Sequence, residues 1–286
     1  MATSSRNKGI FSLDFLVPNL GLIFAIVLVE GLFATIVRPR AAEIDITQRL
    51  IAAQKTDHPQ PPQRSLVVII KDPEQEVELM LWLWATIILT YKLGLVGRER
   101  ALLKHDFIGA RQGERIIPED ALDRYKELKT SVEAAPGWRD RLLPDFVLEA
   151  LHRFHATSSV QDAASAVKER AEMVADNLDS ELSLLRYMAW AIPAVGFIGT
   201  VRGIGDALSH ADEAIKGDLT GVVSSLGLAF NSTLVALVIS MILMYMLHML
   251  QSRQEALILE LQNYCRDKLL DIMKVPVRER SSESSS

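Results

Sequence analysis

The sequence predicts an all-α integral membrane protein: four transmembrane helices, long helical extensions and a helical cytoplasmic domain. Three observations carry that expectation. First, hydrophobic residues are 49% of the 286, near the average for a globular protein, yet the mean hydropathy is +0.17, so the apolar residues are concentrated in blocks. Second, four blocks are long enough to cross a bilayer core, which takes roughly 20 residues. Third, the intervening segments are charged, hold few β-branched runs and show apolar residues at helical spacing. A soluble all-α core would carry shorter apolar helices. The balance of 31 basic against 36 acidic residues lacks the surplus of a nucleic-acid protein. A single cysteine, Cys265, excludes a disulfide scaffold and an intrachain thiolate metal site.

In chain order, residues 1–19 form a cytoplasmic N-terminus. Residues 20–37 are 18 apolar positions with one charge, Glu30. This run exceeds the roughly 7–15 residues of a signal-peptide core, and no small-x-small site follows directly, so it reads as a retained anchor. Residues 38–78 lie outside; 41–55 have helical spacing up to the prolines Pro59, Pro61 and Pro62, and 66–70 are a short apolar run, a strand or an interfacial segment. The second span, 79–96, has one charge, Lys92, near its end. The cytoplasmic part, 97–187, reads as helices over 118–134, 140–156 and 159–185. Pro118 followed by Glu119 and Asp120 suits a first turn. With no Gly or Pro ahead of the third span, 188–208, the last of these helices should run straight into the membrane. A loop, 209–218, leads to the fourth span, 219–250, set within a stretch of 34 residues without Asp, Glu, Lys or Arg. Its helix continues through 251–276 as a cytoplasmic rod ending at Pro276, and 277–286 form a serine-rich, disordered tail.

Orientation follows from basic residues. The loop 209–218 holds one, Lys216, whereas 97–185 hold thirteen and the C-terminal tail adds six. The large connection and both termini are therefore expected inside. The outer segment 38–78, with six basic residues, runs against that pattern.

In the third block, Gly196, Gly199 and Gly203 share one helix face and permit close approach of a neighbouring backbone. Pro193 removes one backbone hydrogen bond. In the fourth, Ala229, Thr233, Ala236 and Ser240 form a strip of small residues. Its hydroxyls suit either a relay for protons or cations or bonding to their own helix four residues back. Two charges lie well inside the bilayer, Glu30 and Arg202. They could pair with each other; alternatively Arg202 meets Asp206 one turn on, or snorkels outward. His152, His155 and Glu149 share a face that is either a metal site or, more simply, solvated. No hydrolytic motif occurs, so no enzyme activity is expected.

The run Ile192-Pro193-Ala194-Val195-Gly196-Phe197-Ile198-Gly199-Thr200-Val201-Arg202-Gly203-Ile204 resembles the signature of the MotA/TolQ/ExbB proton-channel family. Asn231-Ser232-Thr233-Leu234-Val235-Ala236-Leu237 resembles that family's segment in the last helix, with Thr200 and Thr233 33 residues apart. The resemblance covers 188–252. Leu228 stands where ExbB and TolQ members carry a glutamate, and Arg202 where ExbB has a tryptophan. Four blocks rather than three resemble the flagellar-stator branch or a stator-like defence motor.

The resemblance implies a pentamer around a dimeric single-span partner of MotB/TolR/ExbD type, whose membrane aspartate carries H+ or Na+. It implies no cofactor, and lipid rather than nucleic acid as surroundings. The ion pathway would then involve Thr200, Thr233, Ser232, Asn231 and Ser240, with Pro193, Gly196, Gly199 and Gly203 packing the helices. An oligomeric scaffold without ion flux is the other reading of the same residues.

Overall fold

The computed structural model describes residues 13–53, 69–109 and 114–275. The chain divides into two compact units, 1–92 with 183–249, and 93–182 with 250–286.

In the first unit, α1 (Leu13–Leu32) passes through a π-helical turn (Phe33–Val37) into α2 (Arg38–Ala53). Gly21, Ala25, Val29, Phe33, Val37 and Ala41 are buried there, spaced by four throughout. In a regular α-helix such a row drifts by about 40° per step. The wider π turn, closed by the Arg38 N–H bond to the Phe33 carbonyl, takes up part of that drift. Val29, Phe33 and Val37 thereby stay against Leu79, Met80 and Leu83 of α3 (Pro73–Leu102), with Ile70 beside them. The expected short run 66–70 falls largely outside the described residues, as do the N-terminal dozen residues and the serine-rich tail.

Helix α3 starts at Pro73, six residues ahead of the expected second span. The Asp72 N–H bonds to Gln75 Oε1 at 2.9 Å, closing its first turn. Helix α7 (Ser183–Ser209) and α9 (Thr220–Lys268) complete the unit, joined by the short α8 (Ala211–Ile215) inside the expected loop.

In the second unit, α4 (Pro118–Ala134), α5 (Leu142–Thr157) and α6 (Val160–Ser180) pack in sequence. Helix α5 buries Leu143, Phe146, Val147, Ala150, Leu151 and Phe154, one continuous face at three- and four-residue spacing. Ser159 caps α6 by accepting the Asp162 N–H at 3.2 Å.

Two expectations need correction. The helix over 159–185 does not run unbroken toward the third span. It is interrupted at Glu181 and Leu182, where the Leu182 N–H bonds three residues back to Asp179 and tightens the last turn. Nor does the final rod reach Pro276. Helix α9 ends at Lys268, and after a 3₁₀ turn (Leu270–Ile272) the chain pairs as a parallel bridge with Ile116. The Ile116 N–H bonds to Ile272 and the Lys274 N–H to Ile116, each at 2.9 Å, so backbone pairing ends the rod before the proline.

Candidate functional site

The site is built where α7 and α9 cross antiparallel. Gly196 faces Ala236 and the Ser232 carbonyl, Gly199 faces Ser232, and Gly203 faces Ala229. A Cβ on Gly203 would lie 2.6 Å from the Ala229 Cβ and 3.0 Å from its Cα, so no side chain fits. This ladder of small residues brings the two backbones close enough for side-chain hydroxyls to cross between them.

Thr200 and Thr233 meet there, their Oγ1 atoms in direct contact. Thr233 donates to the Gly196 carbonyl at 3.0 Å, and Thr200 reaches the Ala229 carbonyl at 3.2 Å. Gly196 lies four residues before Thr200, and Ala229 four before Thr233. Each threonine therefore bonds to the carbonyl that a membrane threonine usually finds in the other's own helix. Thr200 also reaches its own Gly196 carbonyl at 3.3 Å, whereas Thr233 crosses to α7. Each hydroxyl has one proton, so the two protons cannot fill both crossed carbonyl bonds and the contact between the oxygens at once; one oxygen donates to the other while the second donates to a carbonyl, and the two can exchange those roles.

The other sequence-predicted residues divide. Ser232 is buried beside Gly199, and its Oγ has no hydrogen-bond partner. Asn231, next along α9, is half-buried. Ser240 stands two turns further along α9 from Thr233 and donates to the Ala189 carbonyl at 3.0 Å, which makes it part of the packing around Pro193.

The Glu30–Arg202 pair does not form. Arg202 Nη2 lies 2.9 Å from Glu74 Oε2, while Glu30 is paired with Arg38 at 2.9 Å. Arg38 also reaches Glu76 at 3.0 Å, so it links α1 to α3. The physical reason is that α3 begins earlier than expected. Its first turn brings Glu74 to Arg202 of α7, while Glu30 of α1 is met by Arg38, eight residues further along its own continuing helix. The predicting signal was present: acids at 74 and 78 stand on one helix face once the helix is extended back to Pro73.

Glu74 and Glu78 are what the sequence reading missed. Glu74 Cγ would lie 3.2 Å from a Cβ on Gly199, and Glu78 Oε1 3.2 Å from one on Gly196. Both acids of α3 therefore abut the glycine face of α7. A cavity of about 20 Å³, roughly one water, lies among Glu74, Arg202, Asp206, Ser225, Leu228 and Ser232. Just ahead of the helix, burial pushes the Asp72 carboxyl up from its ordinary range.

His152 and His155 have structural roles. The His152 ring lies 5.6 Å from that of Tyr125, and His155 Nδ1 is 2.9 Å from the Pro118 carbonyl.

Among the described residues, four helices are long and apolar enough to cross a membrane, and large apolar side chains such as Phe197, Trp190, Phe230 and Met241 are exposed on them. That combination defines a multi-pass α-helical membrane protein, with a polar contact held inside a glycine-lined helix crossing. Residues 139–263 match the model of the MotA/TolQ/ExbB proton channel family. The match supports the resemblance read from the sequence and extends it back through α5 and α6. Comparison with curated proteins and with solved structures returned no match.

Proposed function

We propose that this chain is the pore-lining subunit of a proton- or sodium-driven motor in a bacterial inner membrane. Five copies surround a dimeric single-span partner, and both termini of each copy face the cytoplasm. The partner's aspartate carries the ion, and the work it does is mechanical. The observation that carries this reading is the Thr200–Thr233 contact with its exchanged carbonyl bonds, inside the segment matched by the channel family. Oriented hydroxyls in a low-dielectric crossing lower the cost of bringing a proton or a bare cation past them.

The test is native mass spectrometry of the complex purified with its single-span partner, together with ion flux into proteoliposomes. Five copies with two partners, and flux that Thr233→Val removes while leaving the stoichiometry intact, support the motor. Loss of assembly in Thr233→Val, or a partner-free oligomer without flux, favours the scaffold.

A further inference from the structure

Helix α3 brings a carboxyl into the core of the first unit that the ion route read from α7 and α9 does not include. Glu78 is fully buried. Neither of its carboxylate oxygens has a hydrogen-bond partner. Its Oε1 abuts Gly196, the residue whose carbonyl receives the hydroxyls of Thr200 and Thr233. On the same crossing, the Ser232 hydroxyl is also buried and unpartnered. A carboxyl so enclosed has no ion-pair partner to justify a charge. It is where a chain spends stability on function.

The charged groups around it are accounted for. On its own helix, Glu74 stands one turn away and is engaged by Arg202 of α7. Glu76 and the Glu30 of α1 are both bound to Arg38. Asp72 precedes the helix, and Asp206 lies beyond Arg202 at the small cavity. From α9, Ser232 and Ala236 flank the same Gly196 that Glu78 abuts, and both are uncharged.

We propose that Glu78 is a proton-binding carboxyl, supplied by this chain itself, that exchanges its proton with solution and serves the Thr200–Thr233 hydroxyl pair across Gly196. Because neither Glu78 oxygen is hydrogen-bonded to a threonine, the transfer runs through one entering water: the Glu78 carboxyl gives its proton to that water, the water passes one of its own to a threonine hydroxyl, and that hydroxyl passes its proton to the partner helix's carboxylate. The hydroxyl ends as it began, Glu78 becomes a carboxylate, and it is refilled from water. The service to the threonines rests on the ion-route reading; the exchangeable proton on Glu78 does not.

The experiment is therefore chosen to need no flux and no partner. Dicyclohexylcarbodiimide, an apolar reagent that adds to protonated carboxyls, is applied to the full chain in liposomes, and labelled residues are located by peptide mass spectrometry. The expected result is a label at Glu78 and none at Glu74. Its yield should fall about tenfold for each pH unit beyond the point where half the sites ionise. Glu78→Gln should remove the label while leaving assembly and thermal stability unchanged, because it preserves shape and neutrality. Glu78→Asp should retain it. No label at Glu78, a label without pH dependence, or equal labelling of Glu74 overturns the proposal. In the complex with its partner, Glu78→Gln should lower flux at least about tenfold. Flux unchanged in Glu78→Gln overturns the role in transport. A pH-dependent label in a preparation that conducts nothing would instead locate the failure in the motor reading.

Discussion

Ser240 on α9 supplies the hydrogen bond that Pro193 removes from α7. Proline has no N–H to give to the carbonyl four residues before it, which is that of Ala189. The Ser240 hydroxyl donates to that carbonyl at 3.0 Å. The missing backbone bond and its replacement are therefore on different helices, and each explains the other's presence in an apolar segment.

That relationship predicts a coupled pair of substitutions. Ser240→Ala should destabilise the protein by about 1 kcal/mol, because the Ala189 carbonyl is left unsatisfied. With Pro193→Ala in the background, α7 regains its own bond and the same change should cost close to nothing. A double-mutant cycle of thermal unfolding in detergent checks this; equal costs in both backgrounds would refute the link.

Gly203 and Gly205 provide a second contrast. Gly203→Ala should destabilise by about 1–3 kcal/mol, since the added Cβ meets Ala229 backbone as well as side chain. Ala229→Gly should recover part of the loss. Gly205→Ala, with open space around its Cβ, should be neutral or slightly stabilising through helix propensity. Melting temperatures of the three variants and the double variant decide it.

The ion pairs give a charge-reversal test. Arg202→Glu alone leaves Glu74, which is nearly buried, beside a like charge, at a cost of about 1–3 kcal/mol. Glu74→Arg in the same chain should restore most of that loss. Glu30→Arg should not, because its partner is Arg38. Recovery through Glu30 instead would contradict the arrangement of α3.

Cys265 is expected to be inert. It sits on the part of α9 that belongs to the second unit, fully enclosed, and burial pushes its thiol up to about 12. At pH 8 the reactive thiolate is then scarce, and alkylation by iodoacetamide should be about a thousandfold slower than in the urea-unfolded chain. Comparable rates would mean that this stretch of α9 opens readily.

What was legible in the sequence follows from what periodicity can report. The four apolar blocks, the helix over Pro118–Ala134 and the glycine and threonine faces of α7 and α9 each depend on spacing within one helix. Glu74 and Glu78 were not read as part of the site because an acidic run ahead of an apolar block marks, in composition alone, the edge of a span. Their burial comes from α7, whose glycines leave room for them. The Glu30–Arg202 pairing failed for the same reason: similar depth along two helices says nothing of which faces meet. The turn at Glu181 and Leu182 left no Gly or Pro to mark it. The end of α9 is set by Ile116, more than 150 positions earlier in the chain.

The π turn at Phe33–Val37 has a consequence for descent. Such a turn is what an α-helix becomes when one residue is added while both ends stay fixed. Removing any one residue of the five would return the helix to its ordinary winding. The flanking helices would keep their places, so Arg38 would still stand between Glu30 and Glu76. Relatives that lack one residue here should therefore keep that three-way ionic contact, and a residue could be gained or lost at this turn without moving the groups on either side of it.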